Sequence, residues 1–359
     1  MTRIYLDHAA TTPLRPEARE AMLRGFDIWA NPSSPHAEGR KARAALEDAR
    51  ERVKATLGWE GEVIFTGGAT GAALIGLGCS QVERLCASTV EHDAVRRGEG
   101  TLDFDLPVRS DGAVDTRLLP VALDDQPTLV AVQQVNSETG NRQDLAAVSA
   151  GLAGKNAMLL VDCAQGAGKF ALPREADMAI VSAHKFGGPI GVGALLVREY
   201  GLLFATGGQE RGYRRGTENL PDILGMAAAL EACNDPYIDP GVLEPLDAFA
   251  AEVRAIGGDW LSDRLSDPTP YIRALAMPNM TGTAQVMRFD MAGIDVSQGS
   301  ACSSGTMKTS HVLKALGLGD DLAGRTIRVS FGWSTSRAEV ERFCETWLAM
   351  AREAAEGAA

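Results

Sequence analysis

The chain has 359 residues, 35 of them Lys or Arg and 47 Asp or Glu, for a formal net charge of −12. Its 45% hydrophobic and 23% charged residues describe an ordinary globular protein, long enough for a large unit and a smaller one. The acidic balance, with no Lys/Arg block against it, argues against nucleic acid and anionic membranes as partners.

No apolar run approaches the roughly 20 residues that a membrane helix needs. The segment MTRIYLDHAATTP lacks a basic stretch followed by an apolar one, so no secretory signal is read and the cytosol is the expected compartment. Cys79, Cys86, Cys163, Cys233, Cys302 and Cys344 are scattered, without a C-x-x-C pair or a Cys/His cluster. That spacing argues against a disulfide framework and against a metal site.

In chain order, an amphipathic pattern predicts a helix near Glu38–Leu57. EVIFTGG then reads as a strand running into glycines, and ATGAALIGL as the helix that follows. Further apolar runs, VERLCAS, TLVAVQQVN, AMLLVDCAQ, MAIVSAH and GALLVRE, alternate with helical or glycine-rich pieces. Such alternation predicts a parallel sheet covered on both faces. The Pro-, Asp- and Gly-rich segment NDPYIDPGVLEP reads as a connection between domains. Beyond it the strand TIRVSFGW and the amphipathic AEVERFCETWLAMAREA suit a compact α+β unit.

Several residues carry chemistry in this frame. Lys185, in Ser182-Ala183-His184-Lys185, follows the strand MAIVS and precedes a glycine-rich turn. Open α/β sheets bind ligands at that edge, and a lysine there can form a Schiff base with an aldehyde cofactor. A solvated loop lysine is the ordinary reading of such a residue taken alone. Asp162 also ends a strand; it would pair with a pyridinium nitrogen or cap the following segment. Gln165 is placed to hydrogen-bond a phenolic oxygen. In Gly67-Gly68-Ala69-Thr70-Gly71, a strand-to-helix turn offers backbone amides and the Thr70 hydroxyl to a phosphate. His92 can stack on a ring or relay protons. Cys302, in Gly299-Ser300-Ala301-Cys302-Ser303-Ser304-Gly305, has only small neighbours, which suits a loop that carries a thiol to its target.

LDHAATTP, NPSSPH, FTGGAT, EH, NSETG, DCAQ, SAHK, GGQERGYRRGTEN, GSACSSG and TIRVSFG occur in this order over nearly the whole chain. The set resembles the class V aminotransferase branch of fold-type I PLP-dependent enzymes, and within it the NifS/IscS-like cysteine desulfurases. The resemblance implies an α/β fold. A large domain, 14–237, would hold a mainly parallel seven-stranded sheet covered by helices. A small α+β domain, 1–13 and 238–359, would carry the catalytic Cys loop.

It also implies the cofactor, pyridoxal 5'-phosphate (PLP), and its ligands. Lys185 would carry the cofactor and act as acid and base, Asp162 and Gln165 would contact the ring, and His92 would stack on it. Ala69, Thr70, Ser182 and His184 would hold the phosphate, joined by Thr217 of a neighbouring subunit in a homodimer. Arg328 would clamp the carboxylate of L-cysteine with help from Asn31. Cys302 would take the sulfur as a persulfide and pass it to a protein acceptor, an iron–sulfur scaffold or a sulfur-relay protein.

Two positions depart from the family pattern. Ser137 stands where a second asparagine contacts the cofactor, and is short enough to need a bridging water. Gly71 replaces a glutamate beside the phosphate turn. Selenocysteine lyase, another class V enzyme and a non-catalytic binding subunit are the alternative readings. Retention of Lys185, Asp162, His92, Cys302 and Arg328 together disfavours the last.

Overall fold

The computed structural model describes residues 3–96, 102–299 and 310–356. Its strands, in chain order, are β1 (Ile4–Tyr5), β2 (Glu62–Thr66), β3 (Arg84–Ser88), β4 (Phe104–Leu106), β5 (Thr128–Gln133) and β6 (Ala157–Asp162). There follow β7 (Met178–Ser182), β8 (Gly193–Val197), β9 (Asp259–Trp260), β10 (Ile272–Ala276), β11 (Ile294–Asp295) and β12 (Thr326–Ser330).

A seven-stranded sheet runs in the order β2-β8-β7-β6-β5-β3-β4. It is parallel from β7 to β4, while β8 lies antiparallel to both of its neighbours. The physical reason is the connection: β7 returns as β8 through the short stretch 183–192, one tight turn and a glycine-rich piece, too short for a helical crossover. With β8 reversed, β2 and β7 point the same way, so the carboxyl ends of β2, β3, β5, β6 and β7 share one edge.

Both faces of the sheet are covered, which is why its strands are apolar without interruption. Val63, Phe65, Val130 and Val132 face one core, with Leu46 and Val53 of the helix Ala37–Leu57 and Ile223 of the helix Leu220–Glu231. Ile64, Leu129 and Ala131 face the other, with Ala72, Ala73 and Leu77 of the helix Ala69–Gly78. Each fully buried Val, Leu, Ile or Phe contributes about 1.5–3 kcal/mol before conformational entropy is counted.

A second core joins Leu6 and Ala9 to residues between Tyr237 and Ala351. There β10 lies antiparallel between β9 and β12. Phe249 packs edge-on against Trp260, Phe343 and Trp347. The amino-terminal segment reaches this unit because β1 pairs with β11, and Asp7 bridges to Ser330. None of the helices among the described residues is long and apolar enough to cross a membrane.

Candidate active site

A cavity of about 400 Å³ opens at the carboxyl edge of the large sheet. Its floor is set by strand ends: Gln133 closes β5, Asp162 closes β6 and Ser182 closes β7, and all three line it. One wall is the turn Gly67–Thr70. Gly68 has φ +116°, a region that side chains avoid, and no side chain caps the helix Ala69–Gly78 that it opens. The first amides of that helix therefore remain available to an anion. A Cβ added at Gly67 or Gly68 would meet nothing within 4 Å, so this wall is open.

Gly193 makes the wall possible. It pairs with both Thr66 and Ser182, and a Cβ there would lie 2.5 Å from the Val181 carbonyl oxygen and 2.9 Å from Gly68. Only glycine lets the turn settle over the start of β8.

Lys185 lines the cavity and donates from Nζ to the carbonyl oxygens of Ala9 (2.6 Å) and Ala10 (2.8 Å). Gln165 Nε2 donates to the same Ala9 oxygen at 2.7 Å. His184 sits 3.1 Å from Thr11 Oγ1 through Nδ1, and burial, with Lys185 next in weight, pushes it down to about 4. It is therefore neutral near pH 7.

Burial raises the Asp162 carboxyl above its ordinary range, against the Ala164 N–H, His92 and Lys185, which favour the anion. Buried Glu91, which accepts from the Gln133 N–H at 2.8 Å, is pushed up to about 8 by burial and then by Asp162. His92 faces the cavity, and its Nδ1 accepts from the Ala94 N–H at 3.1 Å, which leaves the hydrogen on Nε2.

Arg328, on β12, reaches the cavity with a side chain only 3% exposed. Its Nη2 donates to Asp7 Oδ1 at 2.6 Å and its Nη1 to the Ser137 carbonyl oxygen at 2.9 Å. Arg328 also lines a second hollow of about 480 Å³, which Glu138, Gly299 and Ser310 share. Glu138 accepts from Ser310 Oγ at 2.6 Å, and burial raises its carboxyl above the ordinary range.

The structure thus brings together Ala69, Thr70, His92, Ser137, Asp162, Gln165, Ser182, His184, Lys185 and Arg328. Two expected residues stand apart. Asn31 is exposed, its Oδ1 held by the Ser33 N–H at 2.8 Å, and it does not line the cavity. Its own turn uses the amide that was expected to help Arg328. Thr217 is exposed and also absent from the lining of this chain's cavity. Its segment is moored by Glu210, which accepts from Arg50 Nη1 at 2.7 Å, Arg50 Nη2 at 3.1 Å and the Phe65 N–H at 2.9 Å. Cys302 lies outside the described residues.

Sequence reasoning missed Asp7, Glu91, Glu138 and the carbonyls of Ala9 and Ala10. The signal was present in LDHAATTP, TVEH and NSETG, but a carboxylate's partner and a backbone oxygen's direction are tertiary facts.

The donor set fits a phosphorylated pyridine aldehyde. An uncapped helix start faces the open wall, a lysine is held at the strand edge, and a cationic ring nitrogen beside Asp162 would relieve the burial of its carboxylate. The Aminotransferase class-V family profile matches residues 4–343, and the chain belongs to that family, whose cofactor is PLP. Its similarity is to the cysteine desulfurases of the NifS/IscS kind. It is 36% identical to a cysteine desulfurase of Cereibacter sphaeroides over 376 residues, covering 96% of this chain and 95% of that protein. An IscS cysteine desulfurase of Dictyoglomus turgidum is 34% identical, with 94% and 91% covered. The solved structure of a NifS-like protein superposes with a TM-score of 0.86 at 29% identity, covering 97% of this chain and 99% of that one.

Proposed function

We propose that the chain is a cysteine desulfurase that converts L-cysteine and the Cys302 thiol into L-alanine and a Cys302 persulfide. The balance closes without another reactant: the C–S bond of cysteine breaks, an S–S bond forms at Cys302, and a proton replaces sulfur on the β-carbon. The observation that carries the reading is the cavity itself, where Lys185, Asp162, His92 and Gln165 meet an uncapped helix start, with Arg328 on the wall.

PLP bound there supplies an electron sink, which lets bonds to the substrate's α-carbon break heterolytically. Asp162 would hold the ring nitrogen charged, Gln165 would donate to the ring oxygen, and His92 would stack on the ring. The amides of Ala69 and Thr70, with Ser182 and neutral His184, would hold the phosphate. Lys185 would carry the cofactor and move the α-proton. Arg328 takes the substrate carboxylate, either sharing Asp7 or exchanging it. Cys302, as thiolate, attacks the substrate sulfur.

Thr217, exposed and outside its own cavity, supports a homodimer in which each chain completes the other's phosphate site. The division into 14–237 and 1–13 with 238–359 is part of the same proposal. So are a protein sulfur acceptor and a reducing cytosolic setting, the latter suited to Cys79, Cys86, Cys163, Cys233 and Cys344, all free.

The test measures alanine and sulfide from L-cysteine with a reductant, in PLP-loaded wild type and Cys302→Ala. Equal yields from wild type and neither product from the PLP-retaining variant support the reading. Equal activity of the two proteins would sink it.

A further inference from the structure

Lys169 is a lysine the reaction does not use. The residue is half-buried, its ammonium 5.0 Å from the ring centre of Tyr271 and 5.3 Å from that of Tyr237, and the two rings meet edge to face at 5.7 Å. Among the described residues no carboxylate forms an ion pair with it. Its polar partner is Gln165, whose Oε1 accepts from Nζ at 3.4 Å. Tyr271 adds a second tie, donating from its hydroxyl to the Gln165 carbonyl oxygen at 3.0 Å.

A primary amide can turn either end toward a ligand, and the two ends differ in sign. An anionic ring oxygen requires the NH₂ end. With Oε1 turned to the Lys169 cation, Nε2 is left on the other side, where it meets Ala9 O at 2.7 Å on the wall that Gln165 gives to the cavity. Reversing the amide would set its NH₂ against an ammonium and its oxygen against a carbonyl, two repulsive contacts at once.

We propose that Lys169 is a positioning residue for the cofactor site, ordering the Gln165 amide from a tyrosine cage so that its donor end faces the cofactor's ring oxygen. The inference rests on Gln165 facing that oxygen. Burial and Lys185 push Lys169 down to about 7, while Cys233 acts the other way; His8 and His184 are the remaining titratable groups that sense its charge, beside Tyr237 and Tyr271. Below about 7 the amine is a cation held in a largely apolar place against its own preference, and packing alone does not call for a charge there.

The experiment uses the PLP-loaded protein and reads the pH midpoint of the bound cofactor's visible absorption in wild type, Lys169→Met and Gln165→Met. Methionine keeps the length of the stem without the charge, and the apo proteins' melting curves report whether each variant is folded. Removing the cation, or the donor it orders, makes the nitrogen at Lys185 hold its proton more tightly. Both variants are therefore expected to raise the midpoint, by about one unit. A shift in Gln165→Met with none in Lys169→Met would overturn the role of Lys169 and leave the cofactor reading intact. No shift in either would remove Gln165 from the ring oxygen, and the inference with it.

Discussion

Arg328 and Asp7, 321 residues apart in sequence, meet at 2.6 Å beside the cavity that Arg328 lines, the arginine almost wholly buried and the aspartate one-fifth exposed. The pair places a carboxylate on the very group that is expected to receive the substrate's carboxylate.

Asp7→Asn therefore leaves a buried guanidinium without its counterion, and breaking such a pair costs about 3–5 kcal/mol. The variant is expected to melt earlier than wild type, and L-alanine, which supplies a carboxylate, to raise its melting temperature more than that of wild type. An equal response to L-alanine in both proteins would show that the two carboxylates do not use the same arginine. Arg328→Lys, which loses the planar fork, is expected to raise KM for L-cysteine about tenfold or more while PLP stays bound.

His8 gives the fold an acid sensitivity. It is buried beside Thr335, and burial, reinforced by Lys169, pushes it down to about 3. The unfolded chain takes up a proton on this ring below about 6.5, whereas the folded one resists until about 3. Stability from this group is complete above the higher value and is lost as pH falls through that window, with a slope of about 1.4 kcal/mol per pH unit. His8→Asn is expected to flatten the fall of the melting temperature between those pH values, whatever its cost at neutral pH. A parallel fall in both proteins would assign the sensitivity elsewhere.

The Arg50–Glu210 pair, with side chains 3% and 1% exposed, moors the segment leading to Thr217. Arg50→Met strands buried Glu210, at about 3–5 kcal/mol in urea unfolding, whereas Glu210→Ala costs less, because Arg50 keeps Glu47 at 3.0 Å. The double variant Arg50→Met/Glu210→Leu is expected to recover most of that loss, since it strands none. Additive losses would mean that the two charges do not depend on each other.

Gly193→Ala sets a methyl group against backbone rather than against a side chain that can swing away. The expected cost is about 1–3 kcal/mol, with PLP retention weakened as the Gly67–Gly68 turn lifts. Equilibrium dialysis of PLP from the two proteins measures it; unchanged retention would show that the turn tolerates the shift.

The strands were legible because a sheet covered on both faces demands apolar runs. β4, three residues long, gave no such run. The reversal of β8 followed from the length of the 183–192 connection, which is visible in sequence only once β7 and β8 are known to pair. Of the site, Asp162 and Lys185 could be read because motif and strand end coincide, His92 by its motif beyond β3, and Arg328 because an arginine in the middle of the apolar β12 stands out. The position of Asn31 could not, since whether an asparagine serves its own turn or a distant ligand depends on backbone direction. Asp7 was hidden for a different reason: its counterion lies at the far end of the chain.

That distance has a consequence for biosynthesis. A ribosome makes the Asp7–Thr12 stretch hundreds of residues before β12, yet this stretch supplies the oxygens that hold Lys185 and the counterion of Arg328. During translation the sheet can assemble first, while its lysine and the early aspartate wait without their partners. Contacts of such sequence separation form late, so nascent chains stalled before Arg328 should be unable to trap PLP, and those released beyond it should acquire the vitamin as the last event of folding.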